Sequence, residues 1–393
     1  MKRLMIVGAS VLQLPAILKA KEMGLQVAVV DYNPKAVGIP YADVYYNAST
    51  MDEDAVLAAA EDYCPDGIMT LATDLPMRGV AKASDKLHLH SISYDTAIKV
   101  TDKYEMIKAF KEHGVPSPWF FVVDSLPELQ SHRDEITYPC ILKPVDNAGS
   151  RGVVKADYYE ELALYYGYSL ANSRQGKVIV EEYLDGPEVS VEVMVVNGKV
   201  NILQITDKIT TGTPYFVEMG HTQPSQLSVG IQEDIRRLTC AACDAVGIDK
   251  GPAHVEMRVT SRGPVMIELG ARMGGDNITT HLVPLSTGID MVGCTIAMAM
   301  GEQPDIKPTL DCGSAIRYFD VPSGTIKAIE NVEVAKDIPG VKQITFTKSI
   351  GEQSTPVQCS NDRIGYVIAQ GPSAREAVES CNKALDTIKI TIE

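Results

Sequence analysis

Glu256 and Glu268 are separated by Ser261-Arg262-Gly263-Pro264, a composition that favours a tight turn between two apolar, β-branched runs. A hairpin centred on Arg262 sets Glu256 opposite Glu268 on one face, with Met257 and Ile267 sharing the other, apolar face. Carboxylates opposed in this way destabilise a sheet unless solvent, a raised pKa or a cation relieves them. Magnesium suits the pair, because its usual protein complement is one or two carboxylates completed by substrate phosphates; manganese accepts the same oxygen donors. The alternative is a solvated acidic pair. Arg272 follows among Gly270, Gly274 and Gly275, where it can stabilise charge on a transferring phosphoryl group or pair with a surface acid.

A second group of residues suits a nucleotide. Within residues 145–153, Gly149-Ser150-Arg151-Gly152 gives a backbone able to turn N–H groups toward an anion, with a hydroxyl and a guanidinium alongside. The spacing is not that of a P-loop, and alone it also suits a plain hairpin turn. Residues 178–193 read as a strand, a bend at Gly186-Pro187 and a second alternating strand. Backbone groups of Glu181, Glu182, Tyr183 and Leu184 can read an adenine edge at that bend, and Glu188 can accept hydrogen bonds from ribose hydroxyls. Glu188 and Glu192 equally fit the wet face of an edge strand.

The elements that must carry these residues follow from pattern. Residues 4–7, 27–31 and 67–71 are short apolar runs alternating with helical stretches at 15–23 and 52–63, which implies parallel strands buried under helices. The first strand enters Gly8-Ala9-Ser10-Val11-Leu12-Gln13 and the second ends at Asp31, half of a dinucleotide fingerprint. Ser10 and Gln13 replace its second and third glycines, which disfavours NAD. Gly8 to Ser10, Asp31 and Asp74 lie at strand ends facing the crevice where open α/β sheets bind ligands, with turn capping as the alternative for both acids. Asp102 and Glu105 have capping-box spacing at the start of a helix that Gly114 and Pro116 stop, and 139–144 reads as a strand carrying Lys143.

Composition bounds the partners. The 393 residues carry 51 acidic against 36 basic side chains, a net charge of −15, which opposes nucleic-acid or anionic-membrane binding by field alone. Any phosphate must be held by local donors. No apolar run approaches the roughly 18 residues of a spanning helix and no secretory cleavage pattern opens the chain, so the expectation is a cytoplasmic protein. The cysteines are scattered; the close pair Cys240 and Cys243 lies in a helix-like run and reads as small core-facing residues.

Together these motifs resemble the ATP-grasp superfamily of carboxylate–amine ligases, the group that includes L-amino acid ligases, glycinamide ribonucleotide synthetase and biotin carboxylase, over nearly the whole chain. The resemblance makes Lys103 and Lys143 the two nucleotide-contacting lysines, Gly149 to Gly152 the mobile loop, and Glu181, Glu182, Tyr183 and Leu184 the adenine hinge. It makes Glu188 the ribose ligand, Glu256 and Glu268 the magnesium ligands, and Arg272 the arginine beside the phosphoryl group. The implied fold class is α/β and α+β: a Rossmann-like parallel domain at 1–98, then a two-lobed nucleotide clamp at 99–305. Its small lobe lies near 115–183 and its large lobe near 184–305, the latter completed by 306–393. One departure is clear. Many members carry asparagine two residues after the second glutamate as a further metal ligand, and here Gly270 stands there, so coordination leans on Glu256, Glu268 and water. This looks closer to the amino-acid ligase branch than to the purine enzymes.

The resemblance implies transfer of the γ-phosphoryl group of ATP to a carboxylate, giving an acyl phosphate that an amine attacks to form an amide. Lys103, Lys143, Arg272 and magnesium manage the anionic charge where water is excluded, and residues 147–153 serve as a lid. The polar segment 205–221 supplies substrate groups: Lys208 for a phosphate, Glu218 for an ammonium, and His221 for a carboxylate or as a structural hydrogen-bonding residue; Asp74, at its strand end, is the further candidate for the substrate. Phosphoribosylglycinamide synthetase and biotin-carboxylase chemistry are the alternatives within the group, and an ATP sensor without turnover is the alternative outside it. Small-molecule substrates and, by family analogy alone, a homodimer complete the expectation.

Overall fold

The computed structural model describes residues 1–147 and 151–393, so Gly149 and Ser150 of the expected phosphate loop lie outside the described residues. The first sheet contains β1 (Arg3–Val7), β2 (Gln26–Val30), β3 (Val44–Tyr46) and β4 (Gly67–Met69), all parallel, in the order β3-β2-β1-β4. Successive side chains point to opposite faces. Leu4 and Ile6 pack with Ala16 and Ile17 of the helix Leu14–Glu22, whereas Met5 and Val7 pack with Val56 and Ala60 of the helix Glu53–Tyr63. Burial on both faces explains why these strands read as continuous apolar runs.

The glycine turn after β1 is filled by its own neighbour. Gly8 has φ +107°, and a β-carbon there would fall 2.8 Å from Gln13 Cδ. Gln13 is buried; it accepts from Ser10 Oγ at 2.7 Å and donates to the Leu71 carbonyl at 2.7 Å, tying the end of β1 to the loop after β4. A glutamine therefore sits where a dinucleotide pyrophosphate approaches in the fingerprint geometry. Asp31 does not face a ligand crevice either: it accepts from the Ala9 and Asn33 amides at 2.8 and 2.9 Å and braces the turn. Its capping role is the one realised.

A second, antiparallel sheet contains β5 (Phe120–Val123), β6 (Cys140–Pro144), β7 (Val154–Ala156) and β8 (Val178–Glu182) in the order β5-β8-β6-β7, with Leu142 and Val180 packed on Leu162 and Tyr166 of the helix Tyr159–Ala171. The remaining strands are β9 (Glu188–Val196), β10 (Lys199–Thr210), β11 (Glu218–Gln223), β12 (Gly251–Thr260), β13 (Gly263–Gly270), β14 (Gly313–Tyr318), β15 (Gly324–Glu330), β16 (Val341–Phe346), β17 (Gln353–Ser354), β18 (Gly365–Gly371) and β19 (Lys389–Ile392). Eight of them form one antiparallel sheet, β13-β12-β9-β10-β11-β14-β18-β16, and β17-β15-β19 form a small one. The polar segment 205–221 is thus largely strand. The helix Tyr94–Thr101 spans residue 98, and Ala97 on it packs in the core of the large sheet.

Alternation divides the large sheet into a dry and a polar face. Val189, Val191, Val193 and Val195 of β9 join Val255 and Met257 of β12 under the helix Val229–Val246, in a core that also takes up Cys243. The opposite face carries Glu188, Ser190 and Glu192 on β9 and His254, Glu256 and Arg258 on β12. Since β9 lies between β12 and β10, Glu188 and Glu192 are not on an edge strand, and Glu192 is 0% exposed. No single helix among the described residues is long and apolar enough to cross a membrane.

Candidate functional site

The β12–β13 hairpin brings Glu256 opposite Glu268, and it does so through a bulge. Near the turn Thr260 pairs with Gly263 and Met257 with Met266; the register then shifts, and Glu256 pairs with Glu268. Ile267 is the extra residue. Continued without the bulge, the ladder would set Glu256 against Ile267 and send Glu268 to the core face with Val255. Met266, not Ile267, is therefore the buried partner of Met257, and Ile267 turns to the polar side, where it walls the cavity.

That cavity, about 520 Å³, lies between the two antiparallel sheets and is large enough for a nucleotide. Its lining comes from the loops after β1 and β4 (Leu12, Thr73, Asp74), the β5-β8-β6-β7 sheet with its loops (Lys143, Arg151, Glu181 to Leu184), the polar face of the large sheet, the loop after β13 (Arg272, Gly275, Asp276) and residues 359–363. Gly152, at φ +79°, packs against Pro144 and Asn172, and its neighbours Arg151 and Val153 line the cavity. Lys103 enters at the first turn of the helix Lys103–Glu112, which Asp102 caps by accepting from the Tyr104 amide at 2.9 Å.

Eight carboxylates and seven lysines or arginines line this space, so the acidic balance of the whole chain is cancelled locally. Each of those acids has a basic partner. Lys103 bonds Glu268 at 2.9 Å, Lys143 bonds Glu181 at 2.7 Å, and Arg272 grips Asp74 through two bonds of 2.9 and 3.0 Å. Lys208, almost fully buried, reaches Glu188 at 2.7 Å, Glu256 at 3.1 Å and Glu218 at 3.5 Å. Arg258 joins Glu188 at 2.9 Å, and Arg262 pairs with Glu182. Arg363 holds Asp276 through two bonds of 2.7 Å, and His221 approaches the same carboxylate at 3.3 Å.

Burial works against the charged forms of Glu181, Lys208, Glu218, His221, Glu256 and Glu268, and the partners decide the outcome. Lys208, His254 and their bonds hold the Glu256 carboxyl well below its ordinary pKa, and Lys103 lowers that of Glu268. Three carboxylates overcome desolvation at Lys208 and hold it well above the usual lysine range. At Glu181 burial prevails over Lys143 and raises the pKa; at Glu218 burial prevails over Lys208 and raises it to about 7. Desolvation lowers His221, whose Nδ1 is buried without a hydrogen-bond partner among the described residues.

The facing carboxylates fit a magnesium ion by donor chemistry. Both are kept ionised, both offer hard oxygens, and an ammonium already sits at one oxygen of each. No group of three or more His, Cys, Asp or Glu among the described residues is arranged to hold a metal, so the remaining ligands would be phosphate and water. Gly270 adds no donor; the space beside it holds Asp74.

Sequence reasoning missed five residues of the site. His254 and Glu192 face each other across β12 and β9, as do Arg258 and Glu188. Asp276 and Asn277 adopt left-handed φ values of 50° and 61° after Gly274-Gly275, a run whose Gly and Asx content signals that conformation. Arg363 reaches Asp276 from the far end of the chain and has no local signal. At the hinge, the Glu182 amide is engaged by the Trp119 carbonyl at 3.0 Å, while the Leu184 and Gly186 carbonyls accept from Arg258 at 3.3 and 3.4 Å.

Residues 136–281 match the family described as the ATP-grasp domain, and residues 317–393 match L-amino acid ligase C-terminal domain 2. The L-amino acid ligase of Bacillus licheniformis superposes with a TM-score of 0.85 at 25% identity, covering 100% of this chain and 99% of that one. The phosphoribosylglycinamide synthetase of Anaerococcus prevotii gives a TM-score of 0.79 at 26% identity, covering 100% of both chains. An uncharacterised protein of Sinorhizobium fredii, y4rH, is 32% identical over 71% of this chain, and the chain spans 58% of its length. With two family matches in chain order and a nucleotide-sized cleft between the matched sheets, the chain belongs to the ATP-grasp superfamily of carboxylate–amine ligases.

Proposed function

We propose that the protein joins a carboxylate to an amine at the expense of ATP, through an acyl phosphate, and that its substrates are amino-acid-like. The observation that carries this reading is that one cavity brings together two sets of charges, linked through Lys208 between Glu256 and Glu218. In one set Lys103, Lys143, Arg272 and the Glu256–Glu268 pair offer charges matched to a triphosphate and a divalent ion. In the other, Glu218, His221, Asp276 and Arg363 offer both signs of charge within a few ångströms, which suits a zwitterion.

In this reading the nucleotide binds by exchanging partners. Phosphate oxygens take Lys103 and Lys143 from Glu268 and Glu181; Glu256 and Glu268 would hold magnesium, which would supply charge neutralisation on the phosphates. Arg272 releases Asp74 and turns its planar guanidinium to the phosphoryl group in flight and the carboxylate that receives it. Leu184 and its neighbours bound the adenine, and Glu188, still paired with Lys208 and Arg258, has lone pairs left to accept from the ribose. In the second set Glu218 receives the ammonium; Asp74 borders the carboxylate substrate.

ADP release measured over a matrix of amino-acid pairs, phosphoribosylamine with glycine, and bicarbonate tests this. Turnover with one or more amino-acid pairs is expected. Turnover confined to phosphoribosylamine or bicarbonate moves the protein to another branch of the superfamily, and a flat response to all pairs, with ATP still bound, makes it a sensor.

A further inference from the structure

His254 stands two residues before Glu256 on the polar side of β12 and is only 4% exposed. Its Nδ1 lies 2.7 Å from Glu192 Oε1 and its Nε2 lies 2.9 Å from Glu256 Oε1. Ionised carboxylates only accept, so both ring nitrogens donate, and turning the ring away would take from buried Glu192 its charged partner. Glu192 sits directly across from His254 in the β9–β12 register and is wholly buried. Behind the ring lies Gly274: a β-carbon there would fall 2.6 Å from His254 Nδ1 and 2.8 Å from Glu192 Oε2. The backbone therefore closes on the pair, and the imidazole has one place to be.

The two oxygens of Glu256 consequently differ. Oε1 is held by a fenced ring, whereas Oε2, 3.1 Å from Lys208, is held by a group with acids to spare, since Lys208 also bonds Glu188 at 2.7 Å. Lys208 can let go of Oε2 and stay paired. His254 cannot turn away from Oε1 without leaving the wholly buried Glu192 with no charged partner, only the Ser190 hydroxyl at 3.2 Å, at a cost that makes such pairs poor sources of stability but good fixers of geometry.

We infer that His254, braced by Glu192, is a positioning residue that fixes the plane of the Glu256 carboxylate and presents Oε2 to a divalent ion shared with Glu268. The inference rests on the reading of Glu256 and Glu268 as the ion-holding pair. Orientation of a metal-binding carboxylate by a buried donor is worth about 10- to 100-fold in metal affinity where it has been perturbed.

The test is equilibrium binding of Mn2+ in the presence of ADP, read from the electron paramagnetic resonance signal of the free ion, alongside ADP binding without metal. His254→Ala is expected to weaken Mn2+ about 10- to 100-fold with metal-free ADP affinity unchanged. His254→Gln, whose amide can still donate to Oε1, is expected to recover most of the loss. Gly274→Ala, which presses on the ring, is expected to weaken Mn2+ as well and decides the matter should His254→Ala fail to fold. Wild-type Mn2+ affinity in a folded His254→Ala or Gly274→Ala, with Glu256→Gln weakened, overturns the inference alone. Unchanged affinity in Glu256→Gln overturns the ion-site reading beneath it.

Discussion

A β-carbon on residue 270 would lie 2.5 Å from Asp74 Oδ1, so Gly270 and the Asp74–Arg272 pair share one position between them. The glycine that stands where the resemblance implied an asparagine is the condition for an acid of the loop after β4 to reach an arginine just past β13.

Gly270→Asn is accordingly expected to displace Asp74 and to destabilise the fold by about 1–3 kcal/mol, the range for overpacking a close-packed site. Combined with Asp74→Ala, which vacates the space, the same substitution is expected to cost less than the sum of the two single changes, with a coupling of about 0.5–3 kcal/mol. Denaturant unfolding of the four proteins of the cycle measures it; additive costs would mean that the two residues do not compete.

Lys143 and Glu181 are both nearly inaccessible and bonded at 2.7 Å through Glu181 Oε1, and Oε2 has no hydrogen-bond partner among the described residues. Lys143→Met leaves a buried carboxylate without its ion-pair partner and is expected to cost about 3–5 kcal/mol in the absence of nucleotide. Lys143→Met with Glu181→Leu removes both charges and is expected to regain most of that. Urea midpoints of the nucleotide-free proteins decide it.

Glu218 supplies a pH dependence. Burial raises its pKa from 4.5 to about 7, so the folded protein favours the protonated form. A raised folded value gives stability that is complete below pH 4.5 and is lost as pH rises through 7. Glu218→Gln cannot ionise, so the variant should gain on the wild type between these limits, by up to about 3 kcal/mol. Melting temperatures at pH 5 and pH 8 read the effect, and parallel shifts in both proteins would refute it.

How far the site was legible depended on how local its signals are. The parallel first sheet, the strand–bend–strand at Gly186-Pro187 and the opposition of Glu256 and Glu268 all follow from alternation and turn chemistry within a few residues. The last was reached by assuming one uniform register about Arg262; the actual turn is half a residue off, and the bulge restores the pairing. The Asp276–Arg363 contact joins residues 87 apart, and the Asp74–Arg272 contact joins residues 198 apart. No pattern in a window of ten or twenty residues encodes such encounters. Glu192 was legible as a charged residue on an alternating strand; that its strand runs through the middle of a sheet was not, because a buried ionic face and a solvated one have the same spelling.

Ile267 makes the hairpin tolerant in an unusual place. In a regular ladder, losing one residue shifts the frame and turns all that follows upside down; at a bulge the surplus residue can go and the frame survives. A chain lacking Ile267 would still set Glu268 against Glu256, at the expense of one apolar wall of the cleft. The shape of the cleft and the facing of its acids can thus vary independently, so a lineage or a designer can reshape one without rewriting the other.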